Sequence, residues 1–382
     1  MRVVLAVLLA ASALIPLHPV QAEIAVSSND AHTVLDNGVQ VAAPNSPADT
    51  LTVIDLGVFP PTILATVDVP GSVVGPPTAI AIARDESFAI VTSATKAQAG
   101  GPGGIGPDDR VSVVDLTAKP PQIVQSLQAG AGATTVRISP DGTLALIANR
   151  FAGTLSVFTI KDRHLTAAGT VMIDPKSMPS GIAFTTDGKS ALVTRNGDHM
   201  VQVLTIDGSK VTLDDRKLTT GVAPYAIDVT ADGTLAAVGN MGRGDGDADT
   251  ISLIDLTAQP FRTVQTISVG RSPEGLKWSP DGRFLAVGAQ EGTTKPDSNP
   301  FRRDKGRLVM LALNEKRLTP VIEAPIGRWS QGLAFSRDGR TVLVQNMVER
   351  SIMVFRWDGV KLWAGAPLDI GAGPAAIATA WP

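Results

Sequence analysis

One short sequence pattern recurs six times along this chain of 382 residues. Each copy has an apolar run, a tight turn that contains aspartate, and a second apolar run that ends at a small or polar residue. A period of roughly 45 to 57 residues indicates a repeated supersecondary unit. The copies begin at Ala79, Thr135, Gly181, Ala226, Gly275 and Gly332.

The chemistry of each copy predicts short antiparallel strands. The Asp-Gly turns favour the positive φ angles of a two-residue hairpin, so each copy begins with two paired strands. A third run, rich in β-branched residues, follows after a variable loop, and a weaker fourth run comes next. Four short strands in each unit, without helical periodicity between them, are typical of a β-propeller blade. The third runs begin at Val111, Leu155, Val201, Ile251, Leu308 and Ile352, and the fourth runs include residues 123–127 and 264–269.

The two ends of the chain predict a seventh blade. Residues 39–43, 51–56 and 63–69 resemble second, third and fourth strands without a first strand, and residues 373–380 resemble a first strand without successors. Pairing these segments would close the ring and remove exposed sheet edges. We therefore predict an all-β protein, a seven-bladed β-propeller of four-stranded blades closed by the C-terminal strand joining three N-terminal strands. The predicted boundaries are a tail at residues 23–33 and a single propeller domain at residues 34–382.

The first 22 residues have the pattern of a secretory signal peptide. A charged start at Arg2 is followed by an apolar run over residues 3–17 and by Val20-Gln-Ala22, which ends in a small residue. We expect cleavage after Ala22 and a periplasmic or secreted protein. The alternative is an uncut membrane anchor, for which the apolar run is short.

Composition excludes several classes of function. The chain has no cysteine, which excludes cysteine nucleophiles, zinc sites with cysteine ligands and haem attachment through Cys-X-X-Cys-His. The net charge of −3 gives no support for nucleic-acid binding, which normally requires a basic face. We predict no nucleic-acid partner, no transmembrane span in the mature chain, no cofactor apart from the calcium considered below, and a monomer.

The ends of the second strands carry a recognisable motif. Leu146-Ile-Ala-Asn149, Ala237-Val-Gly-Asn240 and Leu343-Val-Gln-Asn346 resemble the Tyr-Val-Thr-Asn repeat of bacterial exported and surface propellers, a group similar to the lactonase-like seven-bladed propellers. Ser-Pro-Asp-Gly hairpins at Ser139 and Ser279 are typical of the same group. The motif never begins with tyrosine here. The resemblance implies the fold from about Val34 onward, whereas one propeller scaffold hosts binders, hydrolases and electron-transfer subunits alike.

One face of the predicted ring carries the variable loops. The insertions at residues 94–110, 239–250 and 289–307 all lie between second and third strands, while the Asp-Gly hairpins of the opposite face stay short. Variable loops over a constant scaffold are where binding normally resides. Arginine and asparagine side chains that converge there would suit a carboxylate or phosphate ligand. The predicted ligand-binding residues are Arg150, Arg195, Asn196, Tyr225, Asn240, Arg243, Arg271, Glu274, Arg328, Trp329, Gln331 and Asn346.

Less specific interpretations stand beside this one. The arginines could instead pair with aspartates and glutamates of neighbouring loops. Glu274 and Arg328, at corresponding blade positions, could form a structural ion pair, which we favour, or leave Glu274 as a carboxylate with a perturbed pKa.

An aspartate-rich loop is a candidate cation site. Asp245, Asp247 and Asp249 occupy alternate positions and resemble the opening of a calcium-binding loop. The distal glutamate and flanking helices of an EF-hand are missing, so that motif is rejected. Calcium binding and simple solvation of three like charges are the two interpretations.

Catalysis by histidine has few candidates. Of four histidines, only His199 lies in a loop on the long-loop face, next to Asp198, and His32 falls in the predicted tail. Lactonases of the resembling group use histidines near the starts of the first strands, and the segment from Thr134 to Arg137 has none. We therefore predict an exported propeller that binds a protein partner or a small anionic ligand without catalysis of its own. The alternatives are a lactonase-like hydrolase at the channel mouth and a scaffold subunit of a periplasmic dehydrogenase.

Overall fold

Seven antiparallel sheets form a closed ring in the computed structural model, which describes residues 23–380. The innermost strands contact one another in order around a central channel, and the C-terminal strand Gly373–Thr379 contacts Ile80–Ile82 to complete the ring. The predicted seven-bladed propeller, closed by its C-terminal strand, is confirmed. The predicted signal peptide at residues 1–22 lies outside the described residues. No helix of the described chain is long and apolar enough to cross a membrane.

We number the blades from the first complete repeat and give the strands of each in order from the channel outward. Blade 1 contains Ile80–Ile82, Phe88–Thr92, Arg110–Asp115 and Gln122–Gln128; blade 2 contains Ala133–Ile138, Leu144–Asn149, Thr154–Lys161 and His164–Met172; blade 3 contains Pro179–Phe184, Ser190–Arg195, Met200–Asp207 and Lys210–Thr219. Blade 4 contains Pro224–Val229, Leu235–Asn240, Asp249–Asp255 and Arg262–Gly270; blade 5 contains Pro273–Trp278, Phe284–Ala289, Gly306–Asn314 and Arg317–Ile326; blade 6 contains Ser330–Phe335, Thr341–Asn346, Ser351–Trp357 and the broken outer strand Leu362–Ala364 and Leu368–Asp369. Blade 7 contains Gly373–Thr379, Ile24–Asp30, Thr50–Asp55 and Thr62–Asp68.

The repeated turns close through their aspartate side chains. In blade 2, Asp141 Oδ1 accepts a hydrogen bond of 2.6 Å from Ser139 Oγ and one of 3.1 Å from the Thr143 N–H. Gly142 between them has φ of 75°, a left-handed conformation that glycine adopts without strain. The hydrogen bond from Ser139 holds the pKa of Asp141 below its usual value. The turn chemistry that the repeat predicts is therefore present, and it fixes the register of the two inner strands.

The predicted second strand of blade 7 was wrong. Ile24–Asp30, placed by sequence in the N-terminal tail, is fully buried and pairs with both Gly373–Thr379 and Thr50–Asp55. The segment Val39–Ala42 instead pairs with Thr33–Asp36 as a surface hairpin. Val39 of this hairpin is 59% exposed, whereas every residue of Ile24–Asp30, the true second strand, is buried. The predicted third and fourth strands of blade 7 are confirmed.

Asparagine at the end of a second strand has a structural role that this blade shares. Asn29 Nδ2 donates to Thr50 Oγ1 and Thr52 Oγ1, each at 3.0 Å. Asn149 of blade 2 donates in the same way to Thr154 and Ser156, each at 2.9 Å. Ser27-Ser-Asn29 is thus a seventh copy of the motif, and its final asparagine was the signal available in the sequence.

Apolar side chains pack between neighbouring blades rather than in one central core. One cluster joins Ala226 and Leu253 of blade 4 to Trp278 and Leu311 of blade 5. Since every blade depends on both neighbours, the innermost strands are held at fixed positions around the channel. Shorter elements lie in the loops of one face: the hairpin Thr33–Asp36 with Val39–Ala42, and the pair Thr95–Ala97 with Ile105–Pro107, which encloses the 3-10 turn Pro102–Gly104.

Candidate functional site

The loop from Val69 to Ala79 covers the channel on the long-loop face, and we call it the cover loop. Val73 of this loop packs against Trp329, Met347 and Ala375, and all four side chains are buried. Thr134 Oγ1 donates a 2.9 Å hydrogen bond to the Val74 carbonyl. Loop and inner strands therefore close this end of the channel together, and Trp329 belongs to the closure.

Gly75 is the point of closest approach between the cover loop and the inner strands. Its φ is +114°, and a Cβ built on it would lie 1.4 Å from Thr134 Oγ1. Both the conformation and the lack of space require glycine. The cover loop is therefore fitted to the channel mouth.

A hairpin, Thr33–Asp36 with Val39–Ala42, lies over the cover loop. Leu35 packs against the cluster around Val73. At its tip, Asn37 Oδ1 accepts a 2.9 Å hydrogen bond from the Asp297 N–H, so the hairpin reaches a long loop of blade 5. Two layers thus separate the channel from solvent on this face.

A buried group of Asp30, His32 and Asp49 fastens the cover loop to the hairpin. His32 Nδ1 lies 3.1 Å from Asp30 Oδ1 and 2.9 Å from Asp49 Oδ1. Burial opposes a charge on His32, but the hydrogen bond to Asp49 and the two carboxylate charges outweigh it and raise the pKa of His32. Sequence reasoning missed this group because it placed His32 in a tail.

These three residues are the one set among residues 23–380 whose ligand atoms lie close enough to hold a metal ion. Their carboxylates are already engaged. Asp30 accepts the N–H groups of Thr33 and Val73 at 2.7 and 2.8 Å. Asp49 accepts those of Ala31 and Gly71 at 2.9 and 3.2 Å. The His32 ring and four backbone N–H groups thus surround the two carboxylates, so the group serves the architecture of the cover.

Beneath the cover loop, three polar side chains form what we call the upper polar layer: Tyr225, Glu274 and Gln331. They occupy corresponding positions on the innermost strands of blades 4, 5 and 6, and all are buried. Glu274 Oε2, Gln331 Oε1 and Gln331 Nε2 make no hydrogen bond within the described chain. Desolvation raises the pKa of Glu274 to about 8, and the Gln331 side chain, which lies near the carboxyl without good hydrogen-bond geometry, opposes this. Glu274 is therefore an uncharged acid at neutral pH.

Arg150 forms the adjoining wall of this layer. Its guanidinium carbon lies 5.6 Å from the centre of the Tyr225 ring, within the range of a cation–π contact. It donates hydrogen bonds to Ser180 Oγ and, at 2.9 Å, to Asn196 Oδ1. Burial and the nearby Glu274 raise the pKa of Tyr225, and Arg150 opposes this. Arg150, Asn196, Tyr225, Glu274 and Gln331 are thus predicted site residues that the structure brings together.

Three other predicted arginines pair with carboxylates in the loops of the long-loop face. Arg271 Nε lies 3.1 Å from Glu291 Oε2, and Arg328 Nε lies 2.9 Å from Glu349 Oε1. Arg195 pairs with Asp198. The alternative interpretation is confirmed for these three residues. The predicted ion pair between Glu274 and Arg328 is wrong, because the loop before the first strand directs Arg328 outward to Glu349.

The remaining candidates lie away from the upper polar layer. Asn240 donates to Thr250 and Ser252 at 3.0 Å, and Asn346 accepts the Gly327 N–H at 2.8 Å, so both hold strands and loops together. Arg243 is exposed in its loop. His199 Nδ1 accepts the Ala223 N–H at 3.1 Å, and Asp198 is taken up by Arg195, so the two do not form an acid–base pair.

The predicted calcium loop does not converge on a point. Asp245 and Asp247 are exposed, and Asp249 accepts the Ser272 N–H at 2.8 Å. Partial burial, with the charges of Asp245 and Asp247, raises the pKa of Asp249 to about 6. The three carboxylates are absent from the sets close enough to hold a metal in the described part of the chain.

Comparison with known proteins supports the same architecture. Residues 111–224 match the family model described as lactonase, 7-bladed beta-propeller. No curated protein sequence gives a significant match.

Solved structures match over nearly the whole chain. A candidate 6-phosphogluconolactonase of Bacteroides fragilis has 15% identity and a TM-score of 0.73, with 96% of this chain and 99% of that chain covered. The periplasmic gluconolactonase of Pseudomonas aeruginosa has 18% identity and a TM-score of 0.70, with 94% and 99% covered. A functionally unknown protein of Desulfotomaculum acetoxidans has 15% identity and a TM-score of 0.70, with 94% and 100% covered. At these identities the likeness shows the fold alone. This chain is a seven-bladed β-propeller similar to the lactonase-like propellers, as its strand motifs predict.

Proposed function

We propose that this protein binds a small hydroxylated carboxylic acid, or the lactone of one, against the upper polar layer. One observation carries the proposal: Glu274 and Gln331 are buried and present three side-chain atoms that find no hydrogen-bond partner in the described chain. Buried polar groups of folded proteins are normally hydrogen-bonded, and exceptions require an explanation. A ligand rich in hydroxyl and carbonyl groups supplies the missing partners.

The charges of the layer define the ligand further. Glu274, uncharged at neutral pH, donates a hydrogen bond to a carbonyl or carboxylate oxygen of the ligand. Gln331 both donates and accepts, which suits a hydroxyl group. Arg150 provides positive charge at the wall. The ligand therefore carries a carbonyl or carboxylate beside hydroxyl groups, and it enters when the cover loop moves aside.

The comparisons support this choice of ligand class. The matched family segment, residues 111–224, contains Arg150, Ser180 and Asn196 of the site wall. Two structures with the same fold are named as a candidate 6-phosphogluconolactonase and a periplasmic gluconolactonase. The ligand is thus the small anionic molecule predicted from sequence, and not a protein partner. The signal-peptide pattern of residues 1–22 supports the further proposal that the chain is exported.

Gln331→Leu is expected to weaken gluconate binding by at least about 10-fold, because a leucine of similar size cannot donate or accept a hydrogen bond. Isothermal titration calorimetry with gluconate and, separately, 6-phosphogluconate measures this.

Gluconate binding is also expected to weaken above about pH 8, where Glu274 becomes a carboxylate and repels the ligand. The same calorimetry at a series of pH values measures this.

The matched control is Gln122→Leu on an exposed outer strand of blade 1, which should bind as the unmodified chain does. The proposal fails if the unmodified protein binds neither gluconate, 6-phosphogluconate nor glucono-δ-lactone. It also fails if Gln331→Leu binds them with undiminished affinity while keeping a folded circular dichroism spectrum.

Lactone hydrolysis is the second candidate, and the pKa of Glu274 favours it. A carboxyl group with a pKa of about 8 changes protonation near physiological pH, as an acid–base catalyst requires. Ionised Glu274 takes a proton from the water that attacks the lactone carbonyl. It then returns that proton to the ring oxygen as the C–O bond breaks, and the product is the open hydroxy acid.

Glu274→Gln is therefore expected to lower kcat for glucono-δ-lactone by about 100-fold or more while changing gluconate affinity little, since glutamine keeps a donor and an acceptor. A pH-stat assay, corrected for spontaneous hydrolysis, measures turnover. Glu349→Gln, a rim carboxylate paired with Arg328, is the control. Equal turnover by Glu274→Gln and the unmodified chain would exclude this role of Glu274.

A further inference from the structure

A second set of charged side chains lies deeper in the channel, on the hairpin side of the upper polar layer. Arg137, Asp228 and Lys277 pair with Leu146, Ala237 and Ala286 of the adjacent second strands, three positions before the strand ends. They therefore stand at one level of the ring, in blades 2, 4 and 5. We call them the lower charged layer. At a rise of about 3.3 Å per residue, it lies about 10 Å below the level of Glu274.

The same level of the other four blades carries alanine: Ala81, Ala183, Ala334 and Ala378. These alanines pack in the apolar clusters between blades, so the charged side chains at this level come from blades 2, 4 and 5.

Positive charge is in excess in this layer. Lys277 Nζ lies 3.2 Å from both carboxylate oxygens of Asp228, and Asp228 Oδ2 also accepts the Trp278 N–H at 3.0 Å. Arg137 makes a single hydrogen bond to protein within residues 23–380, from Nη1 to the Val136 carbonyl at 3.3 Å. Asp228 thus balances one of two cations, and most N–H donors of the Arg137 guanidinium remain for another acceptor.

Both cations are partly buried. Desolvation lowers the pKa of Arg137 and of Lys277, and the charge of Asp228 opposes the shift at both. A partly buried guanidinium attracts an anion more strongly than one in water, because its surroundings screen it less.

Lys277 of this layer is reached from the face that carries the Asp-Gly hairpins. A pocket on that face is lined by Lys277, Trp278 and Arg337, and by the carboxylates Glu23 and Glu86, which both contact Arg337, among others. The opposite end of the channel is closed by the cover loop. An anion therefore has a path to Lys277 that does not require the cover to move.

We propose that the lower charged layer binds a small oxyanion, a carboxylate or phosphate group, between Arg137 and Lys277, entering from the hairpin face. The site is separate from the upper polar layer and does not depend on the function proposed for it. Arg137 contributes a planar fork of donors suited to two oxygens, and Lys277 contributes a point charge that Asp228 holds in place.

Calorimetry of the full chain with inorganic phosphate, and separately with acetate, tests the site. We expect saturable binding below about 10 mM, weakened at least about 10-fold by Arg137→Gln and by Lys277→Gln. Asp228→Asn should strengthen binding several-fold, because it removes the competing carboxylate while keeping a group that can accept the Trp278 N–H. This increase in affinity would not arise from a merely structural role.

Arg283→Gln is the matched control, since Arg283 is an exposed cation of the hairpin face paired with Asp281. It should bind phosphate as the unmodified chain does, and so should Gln331→Leu, which separates this site from the upper polar layer. If one of these variants fails to fold, thermal melting gives a second measurement. Phosphate should raise the melting temperature of the unmodified chain more than that of Lys277→Met. The proposal is overturned if neither anion binds, or if binding persists unchanged in both Arg137→Gln and Lys277→Gln.

Discussion

Deleting residues 373–382 is expected to abolish the cooperative unfolding transition of this protein. The deletion removes the innermost strand of blade 7, in which Ala375, Ala376 and Ile377 are buried. It leaves Ile24–Asp30 as an unpaired sheet edge, which invites aggregation. Blades 6 and 1 also lose a strand against which both pack. The expected loss is comparable to the whole stability of an ordinary domain, about 5–15 kcal/mol.

Thermal melting followed by circular dichroism, with size-exclusion chromatography, measures this effect. The control is a circular permutant that joins residue 380 to residue 23 through a short linker and opens the chain at the turn from Asp358 to Lys361. Ala25 pairs with Thr379, so the joined ends are already neighbours, and every strand is kept. A truncated chain that melts cooperatively near the temperature of the complete protein would contradict the prediction.

Glu274→Gln is expected to remove a pH-dependent loss of stability amounting to a few kcal/mol. In the unfolded chain Glu274 loses its proton near its ordinary pKa of 4.5, whereas the folded chain retains it up to about pH 8. Between these values the folded state binds the additional proton, so the free energy of unfolding decreases as pH rises. Each pH unit in this interval costs about 1.4 kcal/mol at most. The variant lacks the titrating group and so lacks this part of the slope.

Urea denaturation at intervals from pH 4.5 to 9 measures the difference between the two proteins. Glu349→Gln serves as the control because it removes a carboxylate of similar size from the half-exposed rim. We expect Glu274→Gln to be less stable than, or equal to, the unmodified chain near pH 4.5 and clearly more stable near pH 9. If the free energy of unfolding changed with pH in the same way for Glu274→Gln and the unmodified chain, the buried neutral state of Glu274 would be refuted.

Most of the architecture follows from interactions that are local in sequence. The Asp-Gly turns and the strands beside them form within about 15 residues, so each repeat carries the information for its own hairpin. Blade 7 is the exception. Its second strand, Ile24–Asp30, contains Ser27, Ser28 and Asn29, and this polarity hides a buried strand, whereas the more apolar Val39–Ala42 forms a surface hairpin. Polar side chains become strand residues there because partners distant in sequence satisfy them.

The candidate site shows the same contrast between residues placed by the local repeat and residues placed by distant contacts. Tyr225, Glu274 and Gln331 were predictable, because the repeat register places the starts of the first strands around the channel. Arg271 and Arg328 lie in loops, where the direction of a side chain depends on contacts that no periodicity encodes. The cover loop and its anchor at Asp30, His32 and Asp49 depend on pairings across the whole ring. Neither has a sequence signature of its own.

The pairing of Ala25 with Thr379 ties together the earliest and the latest parts of the described chain to be synthesised. A nascent polypeptide can complete six blades while blade 7 still lacks its innermost strand, Gly373–Thr379. The lumen gains a continuous wall only when translation has passed Thr379. Until then the growing chain carries the residues of both proposed binding sites but possesses neither site.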